Sequence, residues 1–255
     1  MIRQRAAGIY AALVLAFLHL PLLILIAFSF NDGRFTVWEG FSLHWYQTSL
    51  SDPELVESLL NSVLIALAAA VLATAIGTLA AWAMWRRSAP ALSATLYLSL
   101  VTPEIVTGIA LLALFQGAFR FLRLPLGMHT VILAHVAFSI AYVTIVVSAR
   151  LRQYDRALEE AAMDLGATEW RAFLRVTLPV ISPAVAAAAL LVLVVSFDDY
   201  VITSMVAGVD SQTLPRVIYA MARRGVSPVV NAVSAMIIVV FGVLIVVSQS
   251  LQERA

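Results

Sequence analysis

Six apolar stretches dominate this chain, near residues 8–30, 59–85, 96–118, 129–149, 183–206 and 229–250. A hydrocarbon core of about 30 Å is crossed by roughly 20 helical residues at about 1.5 Å rise, and each stretch reaches that length. Within lipid every backbone N–H and C=O must be satisfied inside the segment, so each stretch is expected to be an α-helix. The fold class that follows is an all-α membrane protein with six transmembrane helices, its 255 residues forming one transmembrane domain. Composition agrees, with 62% hydrophobic and 12% charged residues where soluble domains carry about 45–50% and about 25%. The first stretch follows Arg3 and Arg5, as a signal peptide would, yet its apolar run exceeds the usual length and contains Pro21. It is read as a retained signal anchor.

Two residue types are missing altogether. Without cysteine there are no disulfides, thiolate metal sites or cysteine nucleophiles. Without lysine, all sixteen cations are arginines, and a phosphate-binding loop of the GxxxxGK[ST] kind cannot form. Any ATP that drives this protein is expected on another chain. No metal site is expected on this one.

Arginine placement sets the expected orientation, because cytoplasmic loops hold the positive excess. With the N-terminus inside, the cytoplasmic set is Arg3, Arg5, Arg86, Arg87, Arg150, Arg152, Arg156, Arg171, Arg175 and Arg254, ten against six outside (Arg34, Arg120, Arg123, Arg216, Arg223 and Arg224). Both termini are therefore expected in the cytoplasm. Trp82 and Trp85, next to Arg86 and Arg87, suit an interfacial aromatic belt, and Trp38, Trp45 and Tyr46 suit the outer loop. In that loop, 31–58, Asn31, Asp32 and Gly33 are expected to turn, and Asp52-Pro53 to open a short helix.

The cytoplasmic segment 150–182 is long for a connection between spans, and such loops carry function. Residues 155–165 are strong helix formers with acids near the start, and Gly166 is placed as a C-terminal cap. Thr168 and Glu169 are expected to open a second short helix with Trp170, Phe173 and Leu174 on one side, ended by Pro179. Two short helices outside the membrane would present a rigid knob to a soluble partner.

The sequence Glu160-Ala161-Ala162, followed by Gly166 and then Leu178-Pro179, resembles the EAA loop of permease subunits of ABC importers. That resemblance implies a coupling helix in which Glu160, Ala161, Ala162, Asp164 and Gly166 dock on a dimer of ATPase subunits, which would bind ATP and Mg. Further stretches widen the likeness: Pro21 to Asn31, Trp45-Tyr46, Ser196-Phe197-Asp198-Asp199, and Ile218-Tyr219 through Arg224-Gly225-Val226-Ser227-Pro228 to Asn231-Ala232. They are similar to the spermidine/putrescine permease group, and more closely to the second of its paired permeases. The resemblance implies the type I importer fold, a second and different permease subunit, an extracytoplasmic substrate-binding protein and a bacterial inner-membrane location.

Acidic residues within spans are costly, by about 2.5–3.5 kcal/mol, and usually face a water-filled cavity or a partner. Glu104 follows Pro103 in the third span, and Asp198 and Asp199 lie in the outer half of the fifth. They are candidates for a cation-attracting path, with Phe197 or Tyr200 available for cation–π contact. The alternative is that the aspartates mark a hydrated helix break and that Glu104 caps the helix after Pro103. Adjacent helical residues point about 100° apart, so the sequence does not say which aspartate faces the path. His135 in the fourth span is open to two roles, a proton relay or a hydrogen bond to a neighbouring helix. Arg216, Arg223 and Arg224 in the outer segment 207–228 are candidates for contact with a docked binding protein.

The expected function is translocation of spermidine or putrescine, or alternatively of another cationic or zwitterionic amine. An ion-coupled secondary transporter is disfavoured by the lack of an internal inverted repeat. An intramembrane enzyme is disfavoured because neither HExxH nor GxSxG occurs.

Overall fold

A computed structural model of the chain describes residues 2–34, 37–122, 124–225 and 227–252. Arg123, Val226 and Arg254, used above, lie outside the described residues. The described residues are helical apart from loops and one isolated bridge between Asn31 and Phe41. In chain order the helices are α1 (Ile2–Phe28), α2 (His44–Ser51), α3 (Pro53–Arg86), α4 (Pro90–Val101), α5 (Glu104–Leu122), α6 (Met128–Leu151), α7 (Ala157–Asp164), α8 (Glu169–Ala172), α9 (Leu178–Asp198), α10 (Val201–Val206), α11 (Leu214–Arg224) and α12 (Pro228–Gln252). A π-helical turn, Phe173–Thr177, joins α8 to α9.

Among the described residues, four helical segments are long and apolar enough to span a membrane: Ala7–Phe28, Pro53–Arg86, Met128–Leu151 and Glu169–Asp198. Counting α4 with Glu104–Ala118 as one bent span makes five, where the sequence suggested six; the described apolar part of α12, Pro228–Val243, is shorter than a span.

Local chemistry explains where the helices depart from the apolar stretches. Asp52 and Pro53 open the 34-residue α3 rather than a short helix. The Asp52 carboxylate accepts the Glu54 and Leu55 N–H groups at 2.9 and 3.3 Å, and Pro53 takes the first helical position, where an N–H is not needed. No further proline follows before Pro90. The expected span 96–118 is instead bent by 112° between α4 and α5. Proline disfavours helical backbone in the residue before it, and Thr102 is extended, with ψ of 128°. Pro179, expected to end a helix, instead lies in the first turn of α9. There the Leu178 N–H reaches back five residues to the Phe173 carbonyl, and this wider turn accommodates the proline without ending the helix. The expected span 183–206 breaks after Asp198, because Asp199 is extended and α10 starts afresh.

The chain divides into two compact units, residues 1–56 with 217–255, and residues 57–216. In the first, α12 lies against α1 and α2. The loop after α1 is organised by Asn31, whose side chain donates to the Val37 carbonyl at 2.7 Å and accepts the Glu39 N–H at 2.8 Å. The Asn31 carbonyl accepts the Trp45 indole N–H at 3.0 Å.

The second unit has two apolar clusters. Ala69, Ala70, Ala73 and Ala81 of α3 pack with Val143, Val147 and Leu151 of α6 and with Ile181, Ala188 and Val192 of α9. Ile65, Phe115, Val131, Ala134, Ile202 and Val206 form the other, joining α3, α5, α6 and α10. In lipid, helices associate through close packing rather than hydrophobic exclusion, so the small residues of α3 are what let α6 approach. At Gly77 the backbones come close enough for its carbonyl to accept the Thr144 hydroxyl at 3.3 Å.

Candidate functional site: a helical knob and an acidic cavity

The knob is built on α7 and α8. Helix α7 closes in a Schellman arrangement: the Gly166 N–H bonds the Met163 carbonyl at 2.9 Å and the Ala167 N–H bonds the Ala162 carbonyl at 3.0 Å. Gly166 has φ of +90°, a conformation that side-chain-bearing residues resist, which is why glycine stands there. Thr168 then caps α8, its hydroxyl accepting the Arg171 N–H at 3.4 Å.

Helical spacing separates two faces of α7. Glu160, Ala161, Asp164 and Gly166 are exposed, as is Leu165 at the tip, while Ala162 is half-buried. Glu159 faces inward, with its side chain 3% exposed. Its carboxylate takes Arg86 Nη1 at 3.1 Å and the Thr177 hydroxyl at 3.2 Å. Arg86 Nη2 also reaches Glu169 at 2.9 Å, and the guanidinium lies over the Trp82 ring, 5.3 Å from its centroid. Trp82 packs on Phe173 at 4.5 Å between ring centroids, and Trp85 meets Tyr154 edge-on at 5.7 Å. The tryptophans expected as membrane anchors thus brace the knob against the end of α3. Glu159 and Arg86 were missed as a pair; the signal available was helical periodicity, which sets Glu159 with Ala162 and Met163 and Glu160 with Asp164.

The second feature is a cavity of about 370 Å³ between the α4–α5 bend and the α9–α10 break. Its lining includes Glu104, Thr107, Tyr142, Asp198, Asp199 and Tyr200, so four of the five proposed path residues meet in one space. Phe197 is not in the lining. The two aspartates differ. Asp199 has a side chain only 5% exposed, and its oxygens accept the Ile202 and Thr203 N–H groups at 3.3 and 2.7 Å, capping α10. Asp198, the last residue of α9, is exposed, as is Glu104 at the start of α5. His135 bonds Ser196 and Thr203 at 2.6 and 2.9 Å. Outside this unit, the Arg223 guanidinium lies over Tyr219, 5.8 Å from its ring centroid.

The arrangement of helices has solved counterparts. A chain of a bacterial ABC transporter involved in the import of the acidic polysaccharide alginate aligns with a TM-score of 0.72 at 17% identity, covering 98% of both chains. A chain of the bacterial alginate ABC transporter in complex with an alginate pentasaccharide-bound periplasmic protein aligns with a TM-score of 0.69 at 18% identity, covering 93% of both. This chain shares the arrangement of helices of those two chains. Residues 73–255 match the family described as binding-protein-dependent transport system inner membrane component, and the chain belongs to that family. Its relatives include the putrescine transport system permease protein PotI of Escherichia coli, 40% identical over 94% of this chain and 88% of that protein. The spermidine/putrescine transport system permease protein PotC of Haemophilus influenzae is 38% identical over 94% of each chain. Its namesake in Escherichia coli is 36% identical over 98% of this chain and 94% of the other.

Proposed function

We propose that this chain is the membrane-spanning permease subunit of an ATP-driven polyamine importer, forming the path for spermidine or putrescine. The single observation that carries the substrate class is the cavity in which Glu104 and Asp198 present exposed carboxylates beside Tyr142 and Tyr200. Two carboxylates with aromatic rings suit a chain of methylenes bearing separated ammonium groups, through ion pairing and cation–π contact. Fold likeness alone does not set the charge of the cargo, since the solved counterparts belong to a transporter of an acidic polysaccharide. The relatives named for putrescine and spermidine support the cationic reading.

In this reading the exposed face of α7, with Glu160, Ala161, Asp164 and Gly166, docks on a separate ATPase dimer that binds ATP and Mg. A second, different permease subunit completes the path, and a substrate-binding protein delivers the polyamine from outside. The subunit adopts the type I importer fold as one transmembrane domain of six spans, α4 with α5 forming the third and α12 the sixth, and both termini lie in the cytoplasm. ATP-dependent accumulation of labelled spermidine and putrescine by proteoliposomes holding the complete importer tests the proposal. Accumulation that requires both ATP and the loaded binding protein is expected. Uptake that follows an ion gradient without ATP would replace it with a secondary carrier.

A further inference from the structure

A buried polar circuit joins α6 to the α9–α10 break beside the cavity. His135, on α6, is fully buried. Its Nδ1 lies 2.6 Å from the Ser196 hydroxyl, near the end of α9. Its Nε2 lies 2.9 Å from the Thr203 hydroxyl on α10 and 3.3 Å from Oδ2 of Asp199 in the break between them. The Thr203 hydroxyl and N–H both donate to that same oxygen at 2.7 Å. One placement of protons satisfies every contact. Ser196 donates to Nδ1, Nε2–H donates toward Asp199 and the Thr203 oxygen, and Thr203 donates its own hydroxyl hydrogen to Asp199. A polar network satisfied at every member rigidifies what it joins, here both sides of the break and α6.

The consequence concerns the neighbouring aspartate. With Asp199 committed to α10 and His135, the carboxylate left exposed at the cavity from this pair is that of Asp198. We infer that His135 is a positioning residue for translocation: by holding Asp199 it fixes the helix break that aims Asp198 at the passing ammonium group. The inference rests on the polyamine reading above and deepens it, since it separates a cargo-facing aspartate from a structural one.

The test is a double-mutant cycle on the complete importer in proteoliposomes, reading ATP-dependent accumulation of labelled spermidine and ATPase response to loaded binding protein. Asp198→Asn should lower accumulation about tenfold, the value of a hydrogen bond to a charged group. His135→Ala should lower it similarly in the wild-type background, yet by less than about twofold when added to Asp198→Asn, because the two act through one contact. His135→Gln, whose amide can donate toward Asp199 and accept from Ser196, should retain most of the uptake. Should His135→Ala fail to assemble, Ser196→Ala removes the Nδ1 contact alone and is read against Asp198→Asn for the same non-additivity. Equal losses in both backgrounds, with ATPase response falling in parallel, would show a merely structural histidine and overturn the inference. Spermidine uptake untouched by His135→Ala overturns it too and leaves the importer reading standing. A wild-type importer that accumulates no spermidine overturns both.

Discussion

Arg86, the last residue of α3, holds the inward-facing Glu159 of α7 through an Nη1 to Oε1 contact of 3.1 Å. The knob is thereby fastened to the end of a long span, and Arg86 extends the same hold to Glu169 through its other terminal nitrogen, at 2.9 Å. A planar guanidinium can serve two carboxylates and stack on Trp82 at once, which a lysine ammonium does not reproduce.

Arg86→Ala should therefore be strongly destabilising. It leaves the buried Glu159 carboxylate with the Thr177 hydroxyl and no cation beside it, and breaking a buried pair in this way costs about 3–5 kcal/mol. Thermal unfolding of the purified subunit complex reads the loss, and Arg86→Lys should fall between the variant and wild type. An unchanged melting temperature for Arg86→Ala would show that the staple contributes nothing.

Gly166 allows a sharper test of the knob because a Cβ there meets no atom of this chain within 4 Å, so two side chains of similar size that differ in tolerance of left-handed backbone read the backbone effect. A residue with a side chain in left-handed backbone costs about 1–2 kcal/mol, and Asn tolerates it best. Gly166→Val should weaken co-purification of the ATPase subunit and uncouple hydrolysis from uptake, whereas Gly166→Asn should keep most of both. Equal behaviour of the two variants would remove the cap from the account of docking.

At Gly77 space, rather than backbone conformation, is limiting. A Cβ there would stand 2.6 Å from Cβ of Val143, which is fully buried on α6. Gly77→Ala should destabilise the protein by about 1–3 kcal/mol through overpacking. Val143→Gly, which removes the Cβ in the way, should cost less when added to Gly77→Ala than in the wild-type background. Equal costs in the two backgrounds would contradict the close approach of α3 and α6. Detergent melting curves of the three variants decide it.

Much of this architecture was legible in the sequence because apolar length and helix punctuation are local signals. The spans around α1, α3, α6 and α9 follow from hydropathy, and the end of α7 from a run of helix formers stopped at Gly166. Apolar length, however, carries no record of direction. The stretch 96–118 reads the same whether Pro103 kinks a helix or, as here, divides it at 112°. Pro179 reads as a terminator because nothing local in the sequence announces the π turn that precedes it.

The candidate site divides in the same way. Glu104, Asp198 and Asp199 could be picked out because acids inside apolar stretches are costly, and Tyr200 for its ring beside them; all four line one cavity. Which aspartate is exposed depends on α10 starting at Val201 and on His135, sixty-four positions from Asp199 in sequence, lying 3.3 Å from it in space. No local pattern holds that information. The same is true of Glu159 and Arg86, where two adjacent glutamates are told apart only by the helix end that one of them meets.

The most direct measurement is the initial rate of ATP-dependent spermidine accumulation by the complete importer carrying Glu104→Gln and Asp198→Asn together, with the ATPase response to loaded binding protein recorded beside it. We expect accumulation to fall by about tenfold or more, since two charged contacts to the cargo are lost, while the ATPase response stays near that of wild type. Accumulation equal to wild type would contradict a cation path through this cavity.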